Sequence, residues 1–506
     1  MTVQTASKKK VLVVGAGVSG LASAIRLQQQ GFSVEIYEKN ERAGGRMGVV
    51  EFDGFQFDLG PTILMMPQMY RDVFEFCGRN PDDYFQMVQL DPIYRVYFAD
   101  GSVHEATSEL TRLVAELERI SEKDAQGYLR YLGDIYERYL LAKDHFIGRG
   151  FRTWSDLLNP TTLSAGLKLK TFNNAYAMIS EYVESEKLRE LLSFQTLYIG
   201  VSPYNGPSIY TIIPMVELIY GVWFIKGGMR GYVTALERLF TELGGVIHLK
   251  APVETIVMDG RKATGLMVQG QFQPADIVLS TADFPYAMKQ LLPSDFRQGR
   301  YRPSQVEKYE YACSCFMQYI ALDSRDFPGL NVHNLAFAED FSGNIADIFD
   351  GRFPKDPSVY VYAPALLDES LAPQGQLGLY VLTPVPNLKD GPAIDWKDEA
   401  AIATYRAKAY EKIRRMLPLQ DFERHIIREK VYTPLDFEMD FNAFFGATFG
   451  LRPTLMQSNS FRPQPKAVRY DNLYFAGSSN HPGAGVPIVL MSAQIAAQEV
   501  LRDQVP

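Results

Sequence analysis

Cysteine and histidine are scarce in this chain: 506 residues hold three of the first and six of the second. Three thiols (Cys77, Cys313 and Cys315) cannot build a disulfide framework. Cys313 and Cys315 alternate in a way that puts them on one face of a strand, and no His or Cys stands at metal-ligand spacing from them. They read as buried structural thiols in a reducing compartment. Basic charge is also short: Lys and Arg total 51 against 59 Asp and Glu, a net charge of −8. No basic stripe offsets this acidity, so nucleic acid is not an expected partner. Nor is there a run of about 18 uninterrupted apolar residues, the minimum for a membrane-spanning helix. The nearest candidate, Ile212 to Ile225, is broken by Pro214, Glu217 and Gly221 and suits a cavity wall or a bilayer-surface contact instead. Lys8-Lys9-Lys10 ahead of the apolar stretch Val11 to Ile25 imitates a secretory signal, but the glycine spacing inside that stretch gives it another purpose.

What the chain does have begins there. Val11-Leu-Val-Val is an apolar strand of the kind a parallel sheet buries on both faces. Gly15-Ala16-Gly17-Val18-Ser19-Gly20 follows and opens a helix, and Glu38 closes the next strand. This is the dinucleotide-binding arrangement: Gly15 for a tight turn, Gly17 for backbone approach to a pyrophosphate, Gly20 for close helix–sheet packing. The helix start supplies amide donors, and Glu38 accepts from ribose hydroxyls. Near the other end, Asn472-Leu-Tyr-Phe-Ala-Gly477 leads through Ser478-Ser-Asn-His481-Pro-Gly-Ala-Gly485-Val486-Pro487 into a helix, a second start suited to an anion.

Between these ends, Arg46 to Pro61 reads as a strand pair turning at Asp53-Gly54. The stretch from Met69 to Ile219 reads as mostly helical, and Tyr309 to Leu455 as a mixed sheet walling a substrate chamber. The length calls for two or three lobes. The expected division is a discontinuous nucleotide-binding domain over 1–75, 220–290 and 465–506, a helical lobe over 76–219, and a substrate domain over 291–464.

These motifs carry a resemblance. Gly15-x-Gly17-x-x-Gly20-Leu21 to Glu38 with Gly44-Gly45-Arg46 resembles the flavoprotein superfamily of amine oxidases and carotenoid desaturases. The C-terminal run Asn472 to Gly477 with His481 to Pro487 is similar to its bacterial carotenoid desaturases. Phe194-Gln-Thr-Leu-Tyr-Ile-Gly200, Ser208 to Met215 and Phe224-Ile-Lys-Gly-Gly-Met229 look nearest to the branch acting on dehydrosqualene (4,4'-diapophytoene). The likeness runs from Lys10 to about Leu501, with Asn480 standing where relatives usually carry Thr.

The resemblance implies an α/β fold with a Rossmann-like FAD-binding domain, a mixed-sheet substrate domain and a helical lobe. It implies FAD as cofactor, with Glu38 at the adenosine ribose, Val253 at the adenine, Arg46 near the pyrophosphate and ribityl chain, and Lys39 and Gly45 among the cofactor-binding residues. Gly60, Pro61 and Thr62 would face the flavin, with Gly477, Gly485 and Val486 approaching the pyrophosphate and ring. The implied reaction is desaturation of a thirty-carbon polyene precursor to 4,4'-diaponeurosporene by hydride transfer to flavin, since no side chain accepts a hydride.

A long apolar polyene needs an apolar tunnel, for which Met65, Met66, Phe194, Leu197, Tyr198, Ile213 and Met215 are candidates; each also suits ordinary core packing. His481, in the flavin-side loop, is the candidate proton acceptor, though a His before Pro-Gly also braces loops. The substrate's home implies monotopic attachment at the cytoplasmic face of a membrane. Dioxygen or a membrane quinone would reoxidise the flavin. The Gly228-x-x-Gly231 turn lacks the third glycine and the acidic follower, so NAD(P)H is not an expected direct partner. The alternatives are a forty-carbon phytoene desaturase, a terminal-methyl carotenoid oxidase, an amine oxidase, and a non-enzymatic prenyl-binding escort of the same fold. The last is disfavoured by the intact glycine turn, and the amine oxidase by the lack of an aromatic pair in the Ser478 to Gly483 loop.

Overall fold

The structure, a computed structural model, describes residues 8–152, 156, 169 and 173–504. Strand β1 (Lys10–Val14) is the centre of a five-stranded parallel sheet. It is flanked by β2 (Ser33–Tyr37) and the strand Ile277–Ser280, with Val246–His248 and Leu473–Phe475 at the edges. The alternation in β1 explains how the sheet is covered. Val11 and Val13 pack toward helix α1 (Val18–Gln29) and the long helices Gly228–Glu242 and Val486–Gln504. Leu12 and Val14 pack on the other face, toward the antiparallel strands Val253–Asp259 and Lys262–Val268. Side chains alternate across a strand, so one continuous apolar run serves two cores. Each such buried side chain contributes roughly 1.5–3 kcal/mol.

The second sheet has seven strands in the order Ile426–Tyr432, Ser314–Leu322, Leu377–Val385, Val359–Tyr362, His333–Ala336, Tyr94–Tyr97 and Val103–Ala106. Neighbours are antiparallel except His333–Ala336 beside Tyr94–Tyr97. All nine residues of Ser314–Leu322 are buried, as expected for a central strand covered on both faces. This mixed sheet is the one expected from the strand-like runs of 309–455. Two of its strands, Tyr94–Tyr97 and Val103–Ala106, come instead from the stretch that reads as helical. A third short strand there, Met87–Gln89, pairs with Trp223–Ile225. Strands this short show too few repeats of the two-residue period to stand out, and their partners lie far along the chain. Among the described residues of that stretch are helices as well, notably Leu110–Ile120 and Glu122–Ala142, each started by a side-chain cap (Glu109 and Ser121).

Candidate active site

A cavity of about 500 Å³ takes its walls from both sheets. At one end lies the turn between β1 and α1. Gly15 has φ +94°, a value costly for other residues, and a Cβ on Gly20 would sit 2.0 Å from the Gly15 carbonyl oxygen. Gly17 is different: its backbone is extended and a Cβ there would meet nothing within 4 Å. Its missing side chain keeps cavity space free beside a helix start that has no side-chain cap and no acidic residue in its first turn. Gly15, Gly17, Val18 and Ser19 line the cavity; Ala16 and Gly20 shape the turn from behind.

Glu38 lines the same end, buried, with one carboxylate oxygen accepting the Ala16 N–H at 2.8 Å and the other the Asn40 N–H at 2.9 Å. Each oxygen keeps a further lone pair for a ribose hydroxyl. Val253 lines this region too, as does Lys39, whose ammonium donates to the Met439 carbonyl and to Asn442 Oδ1 and so ties the turn to the opposite lobe. Arg46 donates to the Thr448 carbonyl at 2.5 Å and to Ser478 Oγ at 2.6 Å, and forms no ion pair among the described residues. Burial pulls its pKa down, opposed by the carboxylate of Asp283, so the cation is held where a negative group relieves it. Asp283 is itself spoken for by Ser479 Oγ and the Phe444 N–H. Gly45, Gly477, Gly485 and Val486 complete this wall, the last two opening the helix Val486–Gln504 without acidic residues in its first turn. Two helix starts, an unpaired guanidinium, a Cβ-sized clearing and a ribose-ready carboxylate form a donor set that fits a dinucleotide's pyrophosphate and adenosine.

The other end is apolar. Gly60, Pro61 and Thr62 mark the transition; Tyr380 donates to the Gly60 carbonyl at 2.6 Å, and Thr62 Oγ1 lies 2.7 Å from the Tyr360 hydroxyl. Beyond them the walls are Met65, Met66, Phe194, Leu197, Tyr198 and Ile213, joined by Leu335, Phe337 and Leu382. Cys313 and Cys315 also line it, and burial pushes the Cys313 thiol up to about 12, so both remain thiols.

Two expected residues lie elsewhere. Met215 is fully buried in the core, since its helix turns Ile212, Ile213 and Val216 to the cavity and Met215 away. His481 is not in the lining. Its Nε2 is 2.9 Å from the Arg149 carbonyl, its ring meets Phe151 edge-on, and burial lowers its pKa to about 4. It braces the C-terminal loop against the segment around Arg149, which removes the geometric basis for a proton-accepting role. Sequence reasoning missed Tyr360 and Tyr380; alternation in Ser358 to Tyr362 marked a strand but not the face that meets the cavity.

A parallel sheet with a glycine turn, sharing one cavity with a mixed-sheet lobe, defines a two-lobed dinucleotide-binding protein. Residues 18–501 match the family described as flavin containing amine oxidoreductase. The chain is 46% identical over 496 residues to "4,4'-diapophytoene desaturase (4,4'-diaponeurosporene-forming)" from Staphylococcus aureus strains MRSA252 and Newman, covering 98% of this chain and 99% of each relative. An oxidoreductase structure from Methanosarcina mazei aligns at TM-score 0.66 and 17% identity, covering 97% of this chain and 100% of that one. A putrescine oxidase variant aligns at TM-score 0.62 and 13% identity, covering 98% and 99%; at these identities both likenesses speak for the fold. The chain belongs to the flavin containing amine oxidoreductase family, and its cofactor is FAD.

Proposed function

We propose that this enzyme desaturates 4,4'-diapophytoene to 4,4'-diaponeurosporene in successive steps. The observation that carries the reading is one cavity whose polar end suits a dinucleotide and whose apolar end suits a hydrocarbon. The near-full-length likeness to diapophytoene desaturases supports the choice of substrate.

When bound, FAD supplies the hydride acceptor that no side chain can replace. The chain does the rest. Glu38 would accept from the ribose hydroxyls, while the amides after Gly17 and the Arg46 guanidinium would hold the pyrophosphate. Gly60, Pro61 and Thr62 line the same cavity as Gly485 and Val486, and would meet the reacting part of the cofactor. Phe194, Leu197, Ile213 and their neighbours exclude water and align the allylic C–H bond, which is where proximity lowers the barrier.

The substrate is membrane-dissolved, and the surface near the cavity favours peripheral attachment. Leu129, Tyr136 and Leu140 are exposed along one face of the helix Glu122–Ala142, and Ile219 is exposed nearby in sequence to the lining residues Ile212, Ile213 and Val216. Tyr139 and Lys143, next on that same helical segment, line the cavity, so the apolar stripe lies close to the cavity wall. Among the described residues no helix is long and apolar enough to cross a membrane. Attachment at the cytoplasmic leaflet accords with the free thiols Cys77, Cys313 and Cys315. Dioxygen or a membrane quinone would take the electrons.

The test is anaerobic incubation of the FAD-loaded protein with dehydrosqualene and with phytoene, following flavin bleaching and coloured product. Bleaching with dehydrosqualene and return of the flavin band on adding quinone or air is expected. Reduction by an amine, and by neither polyene, overturns the reading.

A further inference from the structure

Desaturation leaves a proton as well as a hydride, and the apolar walls around the polyene offer few places for it. Tyr198 is an exception: its ring lines the cavity, while its hydroxyl is buried and without a hydrogen-bond partner. Behind it stands Glu217, 1% exposed. Its Oε2 accepts from Tyr94 Oη and from Gln195 Nε2, both at 3.2 Å, and its Oε1 has no partner. The Tyr198 phenol is near enough to act electrostatically on this carboxyl without a hydrogen bond of good geometry.

On the far side of Glu217 is a second, small cavity of about 20 Å³, lined by Tyr94, His104, Tyr128, Gln195 and Glu217 among apolar neighbours. Three buried polar atoms on its lining residues have no partner: Glu217 Oε1, Gln195 Oε1 and His104 Nδ1. A space of that size holds one water, and unpartnered polar atoms around it are what a buried water satisfies. His104 Nδ1 in turn lies 4.0 Å from Glu116 Oε2, whose side chain reaches solvent at 22% exposure and pairs with the exposed Arg119.

We propose that Tyr198, Glu217, a water held in the small cavity, His104 and Glu116 form the path by which the substrate's proton leaves the polyene channel. The proposal rests on the desaturase reading. As the hydride passes to FAD, which is reduced, the C–H bond on the adjacent carbon breaks and its electron pair becomes the new double bond. The released proton bonds to Tyr198 Oη while the phenol's own proton moves to the Glu217 carboxylate. The carboxylic acid then returns its proton through the water to His104 and Glu116. Tyr198 is the catalytic residue in this scheme, and Glu217 and His104 act through it.

The electrostatics suit that role. Burial raises Glu217 to about 7, against the smaller opposing effects of Gln195, Tyr198 and Tyr94, so the group exchanges protons near neutrality. The titratable groups facing it are phenols: Tyr94, Tyr128 and Tyr131 from the strand and helix packed on its own helix, and Tyr198; His104 is across the small cavity. Burial lowers His104 to about 4, so it passes a proton without storing it.

Single-turnover bleaching of the FAD-loaded protein by dehydrosqualene in phosphatidylcholine vesicles, run anaerobically from pH 5.5 to 9, tests the path. The wild-type rate should rise with pH through a midpoint near 7. Glu217→Gln should slow bleaching about 10²-fold and flatten that profile, with the polyene concentration for half-maximal rate unchanged. Tyr198→Phe removes only a hydroxyl and should do the same, and it decides alone if the Glu217 variant fails to retain FAD. Wild-type rates and a wild-type pH profile in Tyr198→Phe overturn the proposal. A wild-type protein bleached by neither dehydrosqualene nor phytoene overturns the desaturase reading itself.

Discussion

Gly17 and Gly20 sit three residues apart in one turn, yet the structure separates what a methyl group would do at each. Gly17 has φ −66° and ψ 172°, a backbone any residue adopts, and its Cβ would enter open cavity. Gly17→Ala therefore costs the protein itself little: a weaker helix cap on one side, a less flexible unfolded chain on the other, together within about 1 kcal/mol. The same methyl occupies the approach of the pyrophosphate, so FAD affinity should fall at least tenfold, about 1.4 kcal/mol. In Gly20→Ala the Cβ would stand 2.0 Å from the Gly15 carbonyl oxygen and 2.9 Å from Thr281 Oγ1. Backbone must move, and overpacking of this kind costs about 1–3 kcal/mol. Thermal melts of the apoprotein and FAD titration by fluorescence quenching read the two quantities separately. Gly17→Ala should melt like wild type and fail to hold FAD; Gly20→Ala should melt early even without FAD. Wild-type FAD affinity in Gly17→Ala would refute the placement of the pyrophosphate against this turn.

Three further outcomes follow from the geometry. Glu38→Ala should release FAD and also lower apoprotein stability by about 1–3 kcal/mol, because it strands the buried Ala16 amide; equal melts for the two apoproteins would contradict the observed hydrogen bond. His333 is fully buried beside Tyr360, and burial lowers its pKa to about 3, so it folds neutral and its unfolded form takes up a proton near pH 6.5. Its share of stability is present above that pH and lost as pH falls toward 3, so His333→Gln should reduce the slope of stability with pH between 4 and 6 by about 1.4 kcal/mol per unit in urea melts. Asp58, raised to about 7 by burial, has the opposite sign: its share is full below pH 4 and lost as pH rises through 7. Replacing Leu129 and Leu140 together by Asp should abolish co-sedimentation with vesicles while leaving the FAD spectrum intact; unchanged sedimentation would move the membrane contact elsewhere.

Where a motif needed a backbone shape, the sequence was readable. Gly15, Gly17 and Gly20 behind an apolar strand leave few folds possible, and the parallel sheet and the polar end of the cavity followed from them. Tyr94–Tyr97 and Val103–Ala106 were not readable as strands, because what makes them strands is pairing with each other and with His333–Ala336 far along the chain. Side-chain direction was the other limit. His481 belongs to the loop that carries Gly485, but its ring turns to Arg149; Met215 follows Ile213 by two residues and points the other way. Glu217 stood in the sequence only as an interruption of an apolar run, and nothing short of the packing of the surrounding strands and helices distinguishes that from a buried carboxyl with a job.

The polar end of the cavity joins segments that lie far apart along the chain. β1 and α1 open the chain, while Gly477, Gly485 and the strand Leu473–Phe475 belong to its final tenth, and the sheet between them has that strand at its edge. A polypeptide truncated or stalled before Leu473 therefore lacks one jaw of the clamp and should emerge colourless. Yellow colour in a fragment of this protein then reports that both jaws are present.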